Sequence, residues 1–230
     1  MNRSIPVGRQ LAALGAVLAL GCAGQTAPTT TPAPVAGATQ PDSAGLERGI
    51  ALARADSARY PYTEADIHFM TGMIGHHAQA VVMARMAESR GARPAILTLA
   101  GRIINAQHDE IALMQNWLRD RRQPVPEPGP DGVMAHHGGH SMLMPGMLTP
   151  EQIEQLSRAR AAEFDESFLR FMIQHHNGAV KMVKTLFDTY GAAQDQLVFK
   201  FASDVNIDQT TEIARMEKML VSIIVERTSK

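Results

Sequence analysis

Two stretches of this chain, GMIGHHAQAVVM (residues 72–83) and FMIQHHNGAVKM (171–182), share one skeleton 99 positions apart. Aligned over 66–84 and 165–183, they agree at nine of 19 positions: Asp, Phe, Met, Ile, His, His, Ala, Val and Met. The segments that follow agree too, QHDEIALM (107–114) against QTTEIARM (209–216). Such self-similarity marks a chain assembled from two copies of one supersecondary unit. An amphipathic unit used twice buries its apolar face most simply against its own copy. The expected architecture is therefore all-α, a four-helix bundle of two duplicated hairpins.

The helix ends are written into the sequence. Thr63 can cap a helix with Asp66 at its third position, and Gly91 suits the left-handed residue just past the end. Pro94 opens a second helix, which stops before RRQPVPEPGP (121–130). Thr149, Pro150 and Gln152 form a second capping signature, and Gly191 closes that segment, with a break expected near Asp165. Residues 193–226 supply the last helix. Repeat one thus covers 63–120, a linker 123–148 and repeat two 149–226, within a folded region of 46–226. Aromatic residues make up only 5% of the chain, and no alternating run demands a strand.

The first 22 residues read as an export signal. Arg3 and Arg9 form the positive end, and LAALGAVLAL (11–20) the apolar stretch, too short to span a bilayer. The chain's one cysteine, Cys22, closes ALGC, which resembles a bacterial lipoprotein box with Ala19 where Leu is usual. Lipid on Cys22 would anchor a periplasm-facing protein of the cell envelope to the membrane, against the plainer reading of an ordinary cleaved signal with an incidental Cys and a simply secreted, extracytoplasmic protein. Residues 23–45, rich in Pro, Thr and Ala, read as a flexible, disordered tether. One cysteine leaves no disulfide. A formal charge of -1, or -3 once Arg3 and Arg9 are removed, gives no case for nucleic acid.

On a helix of about 100° per residue, Phe69, Met73, His76, Ala80 and Met83 form one stripe. Phe168, Met172, His175, Ala179 and Met182 repeat it. One histidine of each pair lies in the seam; His77 and His176 lie at its edge. Methionine at helical spacing is ordinarily core filling, and a lone seam histidine is ordinarily a hydrogen-bonded core residue. Two matched His-His pairs, each bracketed by Met, argue otherwise, because a buried imidazole without a partner is costly. Imidazole nitrogen with thioether sulfur suits a soft or borderline transition metal, copper and above all Cu(I). Adjacent histidines diverge too far to share one ion, so further ligands must come from nearby Met or from the other helix.

The linker holds MAHHGGHSMLMPGM (134–147), in which His136, His137, His140, Met142, Met144 and Met147 offer the same donor types. It reads as a second, flexible metal-capturing segment, against the plainer reading of a low-complexity spacer. An enzyme is less supported. Di-iron bundles carry Glu-x-x-His, and no Glu here has a His three residues later. Glu110 and Glu212 recur once per repeat, as do Asp66 and Asp165; these read as polar bundle contacts and helix caps, though a metal oxidase remains an alternative, as does a metal-free helical interaction module. His68 reads as a surface residue.

The paired F-x3-M-I-x-H-H-x2-A-V-x-M segments and the later Q-x2-E-I-x2-M elements (from Gln107 and Gln209) resemble the bacterial family catalogued as domain of unknown function 305. The resemblance implies a ferritin-like four-helix fold and an exported protein, some members being copper-binding proteins of the envelope. It supports copper as the cargo and leaves room for a copper-transfer partner. Repeat one departs from the family pattern: Ala78-Gln79 stands where repeat two has the more usual Asn177-Gly178. The two halves are therefore expected to be unequal.

Overall fold

A computed structural model describes residues 44–49, 51–52, 61–129, 132 and 143–229. Cys22, the segments 1–22 and 23–43, and the linker residues His136, His137, His140 and Met142 lie outside the described residues. The described residues belong to one compact unit, Ser43–Lys230. Among them there is no strand, and none of their helices is long and apolar enough to cross a membrane.

Four long helices and one short one carry the fold: α1 (Glu64–Ser89), α2 (Pro94–Asp120), α3 (Pro150–Arg158), α4 (Ala161–Asp188) and α5 (Gln196–Thr228). A capping box between Thr63 and Asp66 opens α1. Its end is a Schellman turn: Gly91, at φ +67°, donates to Glu88 O, and Ala92 donates to Ala87 O. Thr149 and Gln152 form the capping box of α3, with Pro150 at its first position.

The break in repeat two falls at Ala159–Arg160, between α3 and α4, and not near Asp165. Ala161 takes φ +48° and donates its N–H to Arg90 O at 2.8 Å, which pins this corner to the end of α1. Asp165 lies inside α4, where it serves the other hairpin. It accepts from Arg93 N (3.2 Å) and Arg93 Nε (2.9 Å) at the start of α2. Asp66 does the reciprocal job, accepting from Ala193 N at 2.7 Å just before α5. Each hairpin's first helix thus holds the start of the other's second helix, through a buried carboxylate in a charge-assisted bond.

α1 runs along α2, α4 along α5, and the two hairpins meet along α1 and α4. The buried apolar residues fall into two clusters at opposite ends of the bundle. One takes Met83 and Ala84 from α1, Ile96 to Ile103 from α2, Phe164 to Met172 from α4, and Met216 and Ile223 from α5. The other takes Phe69 to Ile74 from α1, Met114 to Leu118 from α2, Ala179 to Leu186 from α4, and Val198 to Val205 from α5. Each helix therefore passes from one cluster to the other through a middle stretch, and that stretch carries its polar residues.

Candidate metal centre

The middle stretch of every long helix is polar in the same way. His76 and His77 come from α1, His175 and His176 from α4, Gln107 and Glu110 from α2, Gln209 and Glu212 from α5. All four imidazoles are fully buried, as are both glutamines to within a few per cent. A bundle of this size would gain stability from Leu at such positions, so a buried polar layer demands a use.

The duplication is visible in the geometry. His76 and His175 face each other across the α1–α4 seam, ring centroids 3.8 Å apart. Within each pair the rings diverge, with centroids 6.3 Å apart and planes at 57° in both copies. His176 Nε2 lies 2.8 Å from Glu212 Oε2 in hydrogen-bond geometry. His77 Nε2 lies 2.7 Å from Glu110 Oε2, but out of line for a hydrogen bond. The two edge histidines are buried because the second helix of each hairpin covers them with these carboxylates, whose side chains are only about one-fifth exposed.

Six of the eight imidazole nitrogens have no hydrogen-bond partner: Nδ1 of all four rings, and Nε2 of His77 and His175. The side-chain oxygens of Gln107 and Gln209 are also unpartnered. Buried polar groups are nearly always satisfied, so this many together is unusual. His76 Nε2 donates to Pro145 O at 3.0 Å. A carbonyl and a carboxylate only accept, so Nε2–H donates in His76 and His176, and in a neutral ring Nδ1 then holds the lone pair. A metal-ligating histidine typically holds its other N–H against a carboxylate or a backbone carbonyl in this way.

Burial keeps these rings ready to bind a cation. It pushes His76 down to about 3, helped by the neighbouring His77, and the Pro145 carbonyl offsets this only in part. His175 is pushed well below the ordinary histidine value, first by burial and then by the facing imidazoles; the backbone of His76, close but unaligned, opposes this weakly. Both rings are neutral at pH 7, with a lone pair available.

The methionines flank this layer. Met73 and Met182 sit in one apolar cluster, Met83 and Met172 in the other. Among the described residues no three His, Asp or Glu side chains converge on one point, so a third donor would come from thioether sulfur or from movement. From the linker set, Met147 Sδ accepts from Met144 N at 3.3 Å, in a turn closed by Met147 N to Met144 O. Met144 packs against the cluster that holds Met73 and Met182.

The described end of the linker crosses the site against both α1 and α4. Gln79 clasps Leu148, donating to its carbonyl (3.1 Å) and accepting from its N–H (2.7 Å). Gly178 lets it pass, since a Cβ there would lie 1.9 Å from Pro145 O and 2.6 Å from Gly146 Cα. The inequality between Ala78-Gln79 and Asn177-Gly178 is thus the imprint of the linker on the two copies. The partners of the imidazoles, Glu110 and Glu212, were not legible as such from sequence alone; their signal was recurrence in register with the His-His pairs.

The model of the family described as Domain of unknown function (DUF305) matches residues 66–220. The chain belongs to the DUF305 family. That match takes in both hairpins and all eight residues of the polar layer. Among solved structures, a DUF305 fragment from Deinococcus radiodurans is 29% identical, with a TM-score of 0.58 over 70% of this chain and 99% of its own. A DUF305 protein from Streptomyces coelicolor, described as secreted, is 25% identical, with a TM-score of 0.59 over 69% and 93%. CopM in its Cu(I)-bound form is 28% identical, with a TM-score of 0.53 over 68% and 96%; the same protein is also known in Cu(II)- and Ag-bound forms. No curated protein matches the chain.

Proposed function

We propose that this DUF305 protein binds copper in its buried polar layer and holds or hands on the ion outside the cytoplasm. The observation that carries this reading is the set of unpartnered Nδ1 atoms on four buried imidazoles. His76, His77, His175 and His176 supply the nitrogen donors. Met73, Met83, Met172 and Met182, above and below the layer, supply thioether sulfur. Cu(I) fits best, since it accepts few ligands and favours sulfur with imidazole. The Cu(I)- and Cu(II)-bound forms of CopM, a relative of the same fold, support copper as the cargo.

The protein's own part is positional. Glu212 and Pro145 O hold the Nε2–H of His176 and His76, leaving the opposite nitrogen of each ring without a partner. Glu110 stands ready to do the same for His77 with a small rotation. The apolar clusters on both sides keep water from competing. Extracytoplasmic placement fits the Streptomyces relative, which is described as a secreted protein. Lipid on Cys22 is the proposed anchor, and His136, His137, His140 and Met142, with Met144 and Met147, the proposed capture segment.

Anaerobic competition titration with a chromogenic Cu(I) chelator tests the reading. The wild type should bind Cu(I) at micromolar or tighter affinity, and His76→Leu/His175→Leu should weaken it at least tenfold with the helical circular dichroism unchanged. Equal affinity in the two proteins would reject the layer as the site. A metal oxidase is the second reading, favoured by the carboxylates at 2.7 and 2.8 Å from imidazole nitrogen. Oxygen consumption on adding Fe(II) or Cu(I), lost in Glu110→Gln/Glu212→Gln, would support it, and no turnover would discard it.

A further inference from the structure

A cavity of about 320 Å³ opens beside the polar layer, walled by His68, Phe69, Met144, Pro145, Met182 and Leu186. Its chemistry is unusual for a surface pocket. The wall is mostly apolar, yet it presents two thioethers and, at the rim, the exposed imidazole of His68. Met144 and Met182 approach the same point. A Cβ on Gly72 would lie 2.5 Å from Met144 Cε, 3.3 Å from Met144 Sδ and 3.5 Å from Met182 Cε. Gly72, with no side chain, leaves room for the ends of both methionines. His68 sits one helical turn before Gly72, on the same face of α1.

The duplication does not repeat this set: Met182 has Met83 as its counterpart, but the other positions differ. The counterpart of His68 is Ser167, and the counterpart of Gly72 is Phe171. Pro145 also ties the cavity to the layer, because it lines the one and accepts from His76 of the other.

We infer that Met144, Met182 and His68 form a second site for a soft monovalent metal ion, Cu(I) or Ag(I), in the cavity beside the layer. Two sulfurs and one nitrogen suit a three-coordinate soft cation, and the apolar wall excludes strongly hydrated divalent ions. The site does not depend on the buried imidazoles, though it draws Met182 and Met144 from the sulfur donors named in the reading above.

Titration with Ag(I), which is redox-inert, tests this on the full chain carrying ¹³C-methyl methionine. In the wild type the methyl signals of Met144 and Met182 should shift at the same equivalent of Ag(I). Met144→Leu/His68→Ala should bind one Ag(I) fewer. Leu conserves the volume of Met and His68 is exposed, so the fold should persist. His76→Leu/His175→Leu should leave the paired methyl shift in place. An unchanged number of bound Ag(I) ions with unchanged affinity in Met144→Leu/His68→Ala would overturn the site, whatever becomes of the buried layer.

Discussion

Replacing His175 by leucine should make the metal-free protein more stable. The ring is fully buried in the α1–α4 seam, and neither nitrogen has an aligned partner. Burying an unsatisfied polar group costs about 1–3 kcal/mol, and His175 has two such atoms. Leucine is of similar volume and removes both. Imperfect packing against His76, whose centroid lies 3.8 Å away, offsets part of the gain. The net expectation is a rise of about 2 kcal/mol, or roughly 4–8 °C in Tm for a chain of this size. His176→Leu is the natural comparison, since it breaks the 2.8 Å bond to Glu212 and leaves a part-buried carboxylate unpaired. It should be neutral or destabilising. Urea unfolding at pH 7.5 with a chelator present measures both. A loss of more than about 1 kcal/mol in His175→Leu, the signature of an ordinary packed core residue, would refute the view that this ring is held for function at the expense of stability.

Other outcomes follow from the same geometry. Gly178→Ala should destabilise by about 2–4 kcal/mol, because its Cβ meets backbone atoms of Pro145 and Gly146 and must lift the linker off Gln79 and His76. Gly101→Ala, in an open position on α2, should be neutral or stabilising by about 1 kcal/mol in the same urea assay; equal effects would show that the linker is not docked. Stability of the metal-free protein should be full above pH 6.5 and fall as pH drops toward 3. The folded values of His76 and His175 are depressed, so the unfolded chain takes up their protons first. The slope is about 1.4 kcal/mol per pH unit for each ring, and unfolding midpoints that stay level from pH 6.5 to 5 would contradict it. Glu212→Gln should weaken copper binding roughly 10–100-fold, as loss of a group that orients a ligating histidine does, while leaving far-ultraviolet circular dichroism intact; unaltered affinity would exclude an orienting role.

The all-α duplicated fold was legible because repetition, capping residues and the 3.6-residue stripe all pointed one way. The seam was legible too: Met73, His76, Met83 and their copies are all buried. What escaped the sequence was tertiary. Glu110 and Glu212 read as polar bundle contacts, and that each covers an imidazole shows only once α2 and α5 are laid against α1 and α4. Asp165 looked like a break or a cap, yet it ties α4 to the start of α2, a contact between residues 72 positions apart. His68 read as a surface residue, and it is exposed; only the fold brings it to the rim that Met144 and Met182 share. The contrast between Ala78-Gln79 and Asn177-Gly178 announced unequal halves without saying why. The reason is the linker, which one copy binds with a side chain and the other admits by having none.

The most direct test of the central claim is X-ray absorption at the copper edge, on protein loaded with one equivalent of Cu(I) under anaerobic conditions. A buried imidazole layer predicts outer-shell scattering from at least two histidine rings, and its disappearance in His76→Leu/His175→Leu. A spectrum of sulfur or oxygen neighbours alone, the same in both proteins, would contradict it.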